Sequence, residues 1–119
     1  MPKKVALVTG GAGFIGSHMV DLLLRQDYEV RVLDNLSGGH ESNLSQHSNE
    51  SNLVFEKSDI LNAQSSNTLF KNVDVIFHFA GIGDIVPSIE NPIDYMNVNV
   101  QGTANILECA RDNSIHRFI

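Results

Sequence analysis

Val5-Ala6-Leu7-Val8-Thr9-Gly10-Gly11-Ala12-Gly13-Phe14-Ile15-Gly16-Ser17-His18 is the stretch from which the rest of the chain can be read. Four consecutive apolar residues, Val5 to Val8, predict a strand covered on both faces, as in parallel sheets. A glycine cluster follows, and a helical pattern begins at Phe14. Gly11, Gly13 and Gly16 fit the spacing G-x-G-x-x-G, while Gly10, Gly13 and Gly16 fit G-x-x-G-x-x-G. In either register the first glycine permits a tight turn. Gly13 lets backbone approach a pyrophosphate, and Gly16 lets the helix lie close on the strand. Free N–H groups and partial positive charge at the helix N-terminus suit a diphosphate. A Walker-type loop is a poor alternative, because no Lys-Ser/Thr pair follows the glycines.

Glu29 to Asp34 predicts a second short strand that ends on an acid. Asp34 lies 18 residues beyond Gly16, close to the ~20 expected of an acid that binds an adenosine ribose. A carboxylate there accepts both ribose hydroxyls and repels a 2′-phosphate, which favours NAD over NADP. An aspartate that merely caps the next loop would not account for the spacing.

Bulk properties narrow the class. A chain of 119 residues with 42% hydrophobic content is one domain, residues 1–119, with a modest core. The net charge of −6 and the absence of any basic cluster beyond Lys3-Lys4 argue against nucleic acid as a partner. No apolar run approaches the ~20 residues that span a bilayer, so no membrane association is expected. Cys109 is the single cysteine, which excludes an internal disulfide and fits a reducing cytoplasm. The five histidines and one cysteine show no zinc spacing, so no metal site is expected.

Further along, a first helix is expected from Phe14 to Gln26, with Ile15, Met19, Leu22 and Leu23 inward and Asp21 placed i,i+4 from Arg25. Ser37 to Asn52 reads as an exposed, mobile loop or poorly formed helix, with His40 and His47 solvated. Leu53 to Lys57 predicts a third strand, and Asn62 caps a helix running to about Lys71 with Leu69 and Phe70 inward. Val73 to Phe79 predicts a fourth strand, in which His78 reads as a hydrogen-bonded core histidine rather than a ligand. The small residues Ala80-Gly81-Ile82-Gly83 follow it at the strand's carboxyl end, where open α/β sheets bind ligands. Asn91-Pro92 opens the longest helix, with a stripe of Met96, Val100, Ala104, Leu107 and Ala110 or Arg111, and with Cys109 as small packing material. His116 to Ile119 looks like the start of a fifth strand. The order is that of an α/β doubly wound parallel sheet of Rossmann type, truncated at the start of its fifth strand.

The stretches Thr9 to His18, Leu33 to Ser37, Asp59-Ile60, His78 to Gly81 and Asn97 to Thr103 closely resemble the extended short-chain dehydrogenase/reductase family, and within it the NAD-dependent nucleotide-sugar epimerases and dehydratases. The resemblance covers essentially the whole chain. It implies that Phe14 and Ile15 place backbone N–H groups at the pyrophosphate of NAD, beside Gly10, Gly13 and Gly16. Asp34 would hold the adenosine ribose, with Asn35, Leu36, Ser37, Gly38 and Gly39 wrapping its outer side. Asp59 and Ile60 would meet the adenine edge. Phe79, Ala80, Gly81, Ile82 and Gly83 would pass beneath the nicotinamide-side ribose and diphosphate. Asn99 would hydrogen-bond near the active site, a solvated helix-face asparagine being the other reading, and Gly102 suggests a close backbone approach.

Two departures bear on function. Several epimerases carry a phosphate-contacting lysine near Gly83; here the sequence is Gly81-Ile82-Gly83-Asp84, and Asp84 would bring negative charge near a diphosphate. Ser88 resembles a substrate-side position only weakly. Family chemistry also uses a Tyr-x-x-x-Lys pair, whose tyrosinate takes a sugar hydroxyl proton while hydride goes to NAD. Tyr28 is followed four places on by Val32 and Tyr95 by Asn99, so no catalytic residue is assigned. The expectation is the NAD-binding portion of an enzyme acting on a nucleotide sugar, inactive alone, of low stability and self-associating through the exposed edge beside Val73–Phe79. A non-catalytic redox-sensing or regulatory dinucleotide-binding module is the alternative.

Overall fold

The computed structural model describes residues 2–119. Four strands, β1 (Val5–Thr9), β2 (Glu29–Asp34), β3 (Leu53–Lys57) and β4 (Val75–His78), form one parallel sheet in the order β3-β2-β1-β4. Every residue of β1 is buried, as its unbroken apolar run requires of a central strand. Its side chains alternate between two cores. Val5 and Leu7 join Leu33, Ile76, Phe70 and Ile106 on one face, while Ala6 and Val8 join Val20, Leu23, Val30 and Val32 on the other. Helix α1 (Phe14–Arg25) covers the second face. The long carboxyl-terminal helix covers the first, so the sheet is wound on both sides. No helix among the described residues is long and apolar enough to cross a membrane.

Helix α1 is turned relative to the expected face. It buries Gly16, Ser17, Val20 and, as expected, Leu23, with Met19 half-buried against the same core, while Ile15 and Leu22 are exposed. Gly16 sets that rotation. Its missing side chain lets the first turn press on the Gly10 carbonyl, and the residues in helical register with it then meet the sheet. Asp21 does not pair with Arg25. It binds His47 Nε2 at 2.5 Å and the Gln46 amide at 2.7 Å, which leaves His47 half-buried rather than solvated and ties a 3₁₀ segment (Glu41–His47) to α1. Leu44 in that segment is buried, so part of the serine-rich loop packs after all.

The helix expected over Asn62–Lys71 is instead two single 3₁₀ turns, Ile60–Asn62 and Thr68–Phe70. Asp59 and Asn67 each accept the N–H two residues on, at 2.9 Å, and such local bonds compete with helix formation. Leu69 and Phe70 are nonetheless buried, as their spacing foretold. Arg31 donates to the carbonyls of Thr68, Leu69 and Lys71, which closes the carboxyl end of this stretch against β2.

Beyond β4 a short helix not foreseen, α2 (Ile85–Glu90), precedes α3 (Pro92–Tyr95), a π-helical turn (Met96–Gly102) and α4 (Thr103–Asp112). Four residues of the expected stripe, Met96, Val100, Ala104 and Leu107, are exposed, whereas Ala110 of the same stripe is buried together with Gly102, Ile106 and Cys109. The buried residues recur at i, i+4, i+7 and i+8, so an ordinary helical face meets the sheet, and it is not the face that carries the more apolar stripe. Cys109 is packing material, and burial pushes its thiol up. The outer edge of β4 is also occupied. Ile76 donates to Arg117 O, Ile119 to Ile76 O and His78 to Ile119 O, so the edge expected to be exposed is paired over its length with residues 117–119.

Candidate dinucleotide site

The turn after β1 shows which glycine register the backbone uses. Gly10 has φ 69°, and a Cβ there would lie 2.7 Å from Ala80 N. Gly10 is therefore the tight-turn glycine. A Cβ on Gly16 would sit 2.1 Å from Gly10 O, and one on Gly11 would strike Val32. The first bond into α1 runs from Ser17 N–H to Gly13 O at 2.9 Å. The N–H groups of Phe14, Ile15 and Gly16 precede it and have no intrahelical acceptor, which makes the end of this 12-residue helix an anion receptor.

Asp34, only 7% exposed, stands beside that turn. Its Oδ2 accepts Ala12 N–H at 2.9 Å and its Oδ1 accepts Leu36 N–H at 2.8 Å. Each carboxylate oxygen keeps lone pairs for a further donor. Leu36 is held at φ 65°, a costly conformation for leucine that the Asp34 bond and the Asn35 Oδ1 bond to Ser37 N–H maintain. Gly39 is buried with its Cα against Ala12, where a Cβ would lie 2.7 Å from the Ala12 carbonyl. His40 N–H and the Asn43 amide both donate to Ala12 O, so the loop after β2 is pinned to the glycine turn.

Asp59 flanks the other side of the cleft. It accepts Leu61 N–H and, at 3.3 Å, the Asn35 amide. Across the sheet end, Phe79 N–H bonds Thr9 O, and Asn99 bonds both polar atoms of the Ile82 backbone, at 2.9 and 2.8 Å. Both ends of the Asn99 amide are thus committed to the Gly81–Gly83 stretch. Gly102 is approached closely by the Ile60 side chain, where a close backbone approach was expected. His78 is hydrogen-bonded at both ring nitrogens, to Thr9 Oγ1 at 2.7 Å and to Thr103 Oγ1 at 2.9 Å.

Burial holds His78 below its ordinary value of 6.5. Between that lowered value and 6.5 the unfolded chain binds a proton that the folded chain refuses. Stability from His78 is therefore complete above 6.5 and is lost as pH falls through this window. An NMR titration is expected to place the His78 midpoint below 6.5, and a midpoint at or above it would contradict the burial argument.

These residues surround a cleft open to solvent, whose empty space is about 620 Å³ with the solvent at its mouth included. Gly10, Gly13, Asp34, Asn35, Ser37, Gly38, Gly39, Asp59, Ile60, Phe79, Ala80, Gly81 and Ile82 line it. Phe14, Ile15, Gly16, Leu36, Gly83 and Asn99, expected at the site, are not among the lining residues. Leu33, Ser58 and Val98 also line it and were not foreseen. Ser58 follows β3 directly, and the rule that ligands meet the carboxyl ends of strands could have found it. The lining holds two carboxylates and no cationic side chain, so anion binding falls to backbone N–H groups and the α1 dipole. Asp84 is not in the lining.

The family model described as NAD dependent epimerase/dehydratase family matches residues 6–119. This chain belongs to that family. UDP-glucose 4-epimerase of Halalkalibacterium halodurans is 38% identical over 115 residues, which cover 95% of this chain and 33% of that protein. Among solved structures, DesIV, a dTDP-glucose 4,6-dehydratase from Streptomyces venezuelae with NAD and TYD bound, superposes with a TM-score of 0.89 at 40% identity. It is matched over 96% of this chain and 38% of that one. The UDP-N-acetylglucosamine 4-epimerase of Methanobrevibacter ruminantium M1 gives 0.88 at 35% identity, over 99% and 37%. The chain spans about a third of the length of the curated relatives it matches.

Neither tyrosine has a lysine four residues on. Tyr95 donates its hydroxyl to Asp84 O at 2.7 Å, and desolvation, then the Asp84 charge, pushes it above its ordinary value. That is the wrong direction for a tyrosinate base.

Proposed function

We propose that this chain is the NAD-holding part of a nucleotide-sugar epimerase or dehydratase. The observation that carries the reading is the placing of Asp34, its oxygens anchored by Ala12 and Leu36 N–H groups, beside the three free N–H groups of α1. A dinucleotide laid across the sheet end would put its diphosphate on Phe14, Ile15 and Gly16 N–H and its adenosine ribose hydroxyls on Asp34. Asp59 and Ile60 would border the adenine, and Phe79 to Gly83 the nicotinamide half. Bound NAD supplies a hydride acceptor. The residues of this chain bind and orient it but offer no base for a sugar hydroxyl, so the chain alone does not turn over nucleotide sugars. The solved relatives that carry NAD support the cofactor, and the family supports a nucleotide sugar as substrate of the complete enzyme.

A single buried thiol suits a cytoplasmic protein. The exposed apolar residues Ile85, Ile89, Ile93, Met96 and Val100 support self-association through the helical face rather than through the β4 edge. Calorimetry is expected to show NAD binding more tightly than NADP by at least about tenfold, since a 2′-phosphate would approach the Asp34 carboxylate. Equal or preferential binding of NADP, or turnover of a UDP- or dTDP-sugar by this chain, would overturn the reading.

A further inference from the structure

Ile82 is held at both backbone polar atoms by Asn99, and Asn99 is itself held through its carbonyl, which accepts the Thr103 hydroxyl at 2.7 Å. With its hydrogen committed there, Thr103 Oγ1 can only accept from His78 Nε2, 2.9 Å away. At the far side of the ring, fully buried Thr9 accepts Ala80 N–H on Oγ1 at 3.2 Å and lies 2.7 Å from His78 Nδ1. The Thr9 hydroxyl hydrogen then has Nδ1 as its acceptor. Every donor and acceptor is satisfied by one arrangement, the neutral imidazole with its hydrogen on Nε2. The Nδ1–H tautomer would leave the Thr9 hydroxyl hydrogen buried without a partner and would pull the Thr103 hydroxyl from the Asn99 backbone carbonyl toward Nε2, so it loses hydrogen bonds at both ends of the ring.

We propose that Thr9, His78 and Thr103 are positioning residues for the cofactor cleft: a one-directional hydrogen-bond chain from Ala80 N–H through Thr9, the Nε2–H tautomer of His78 and Thr103 to the Asn99 carbonyl fixes the Phe79–Gly83 stretch. The chain grips that stretch at both ends, at Ala80 directly and at Ile82 through Asn99. It ties β1, β4 and the π-to-α junction of the long helix to the cleft floor. The role as a cofactor floor rests on the NAD reading above; the tautomer and the grip on the stretch do not.

The test uses this chain labelled with ¹⁵N, together with Thr103→Val and Thr103→Ser. Imidazole nitrogen shifts at neutral pH are expected to show His78 in the Nε2–H form alone; an Nδ1–H form or an averaged pair overturns the proposal. In Thr103→Val the amide exchange of Ala80 and Ile82 is expected to rise by about tenfold, and NAD affinity to fall by about fivefold. Thr103→Ser is expected to restore both to within about twofold, because serine keeps the hydroxyl. Exchange unchanged in the valine variant, or unrestored in the serine variant, overturns it. If the unmutated chain fails to bind NAD, the functional reading falls while the tautomer and exchange results still decide the positioning role.

Discussion

Alanine in place of Gly16 is expected to cost the fold about 3 kcal/mol or more, seen as a drop in the urea midpoint at unchanged m-value. The new Cβ would lie 2.1 Å from Gly10 O, 2.8 Å from Gly10 C and 2.9 Å from Gly11 Cα. All three are backbone atoms of the tight turn, so no side chain can swing aside. Relief requires α1 to lift from β1, which loosens Val20 and Leu23 from the core and moves the free N–H groups away from Asp34. A domain stable by about 5–15 kcal/mol loses a large share of its margin in one step. Gly38→Ala is the matched control, because a Cβ there meets nothing within 4 Å, and its effect is expected to stay within about 0.5 kcal/mol. A Gly16→Ala chain that unfolds at the unmutated midpoint would show that the turn and helix are not packed as described.

Asp34→Asn is expected to weaken NAD binding by about a hundredfold and to shift the NAD-to-NADP ratio toward NADP by about tenfold. The carboxylate takes one backbone N–H on each oxygen and has capacity left for two ribose hydroxyls. An asparagine has a single oxygen, and its NH₂ must face either Ala12 N–H or Leu36 N–H. One backbone donor is then left without an acceptor, at about 1–3 kcal/mol of stability, and one ribose hydroxyl loses a charged acceptor. Removing the negative charge also removes the repulsion of a 2′-phosphate, so the cofactor ratio separates loss of recognition from loss of folding. Calorimetry on the folded variant measures both. Unchanged NAD affinity would mean that this acid does not grip the ribose.

How far the chain could be read in advance depended on how local each determinant is. The apolar run of β1, the glycine spacing and the distance from Gly16 to Asp34 act within one βαβ unit, and all lie where the sequence placed them. His78 was legible as a bonded core histidine because a polar ring inside a buried strand has few other fates. The helix expected over Asn62–Lys71 failed because Asp59 and Asn67 satisfy neighbouring N–H groups themselves. The stripe on the long helix failed because the sheet takes the side of Gly102, Ile106, Cys109 and Ala110, and spacing within one helix does not say which of two apolar sides a neighbour covers. His47 could not be matched to Asp21, since nothing local brings residues 26 positions apart into contact.

The sequence alone therefore determined the parallel strands, the glycine turn and the acid beside it, because buried strands demand unbroken apolar runs and sharp turns demand glycine. Only the tertiary structure decided which face each helix buries, which glycine register the turn adopts and which partners Asp21, Asn99 and His78 take. Those choices follow from close packing between elements far apart in the chain, where a missing Cβ at Gly16 or Gly102 sets how near two backbones or side chains come.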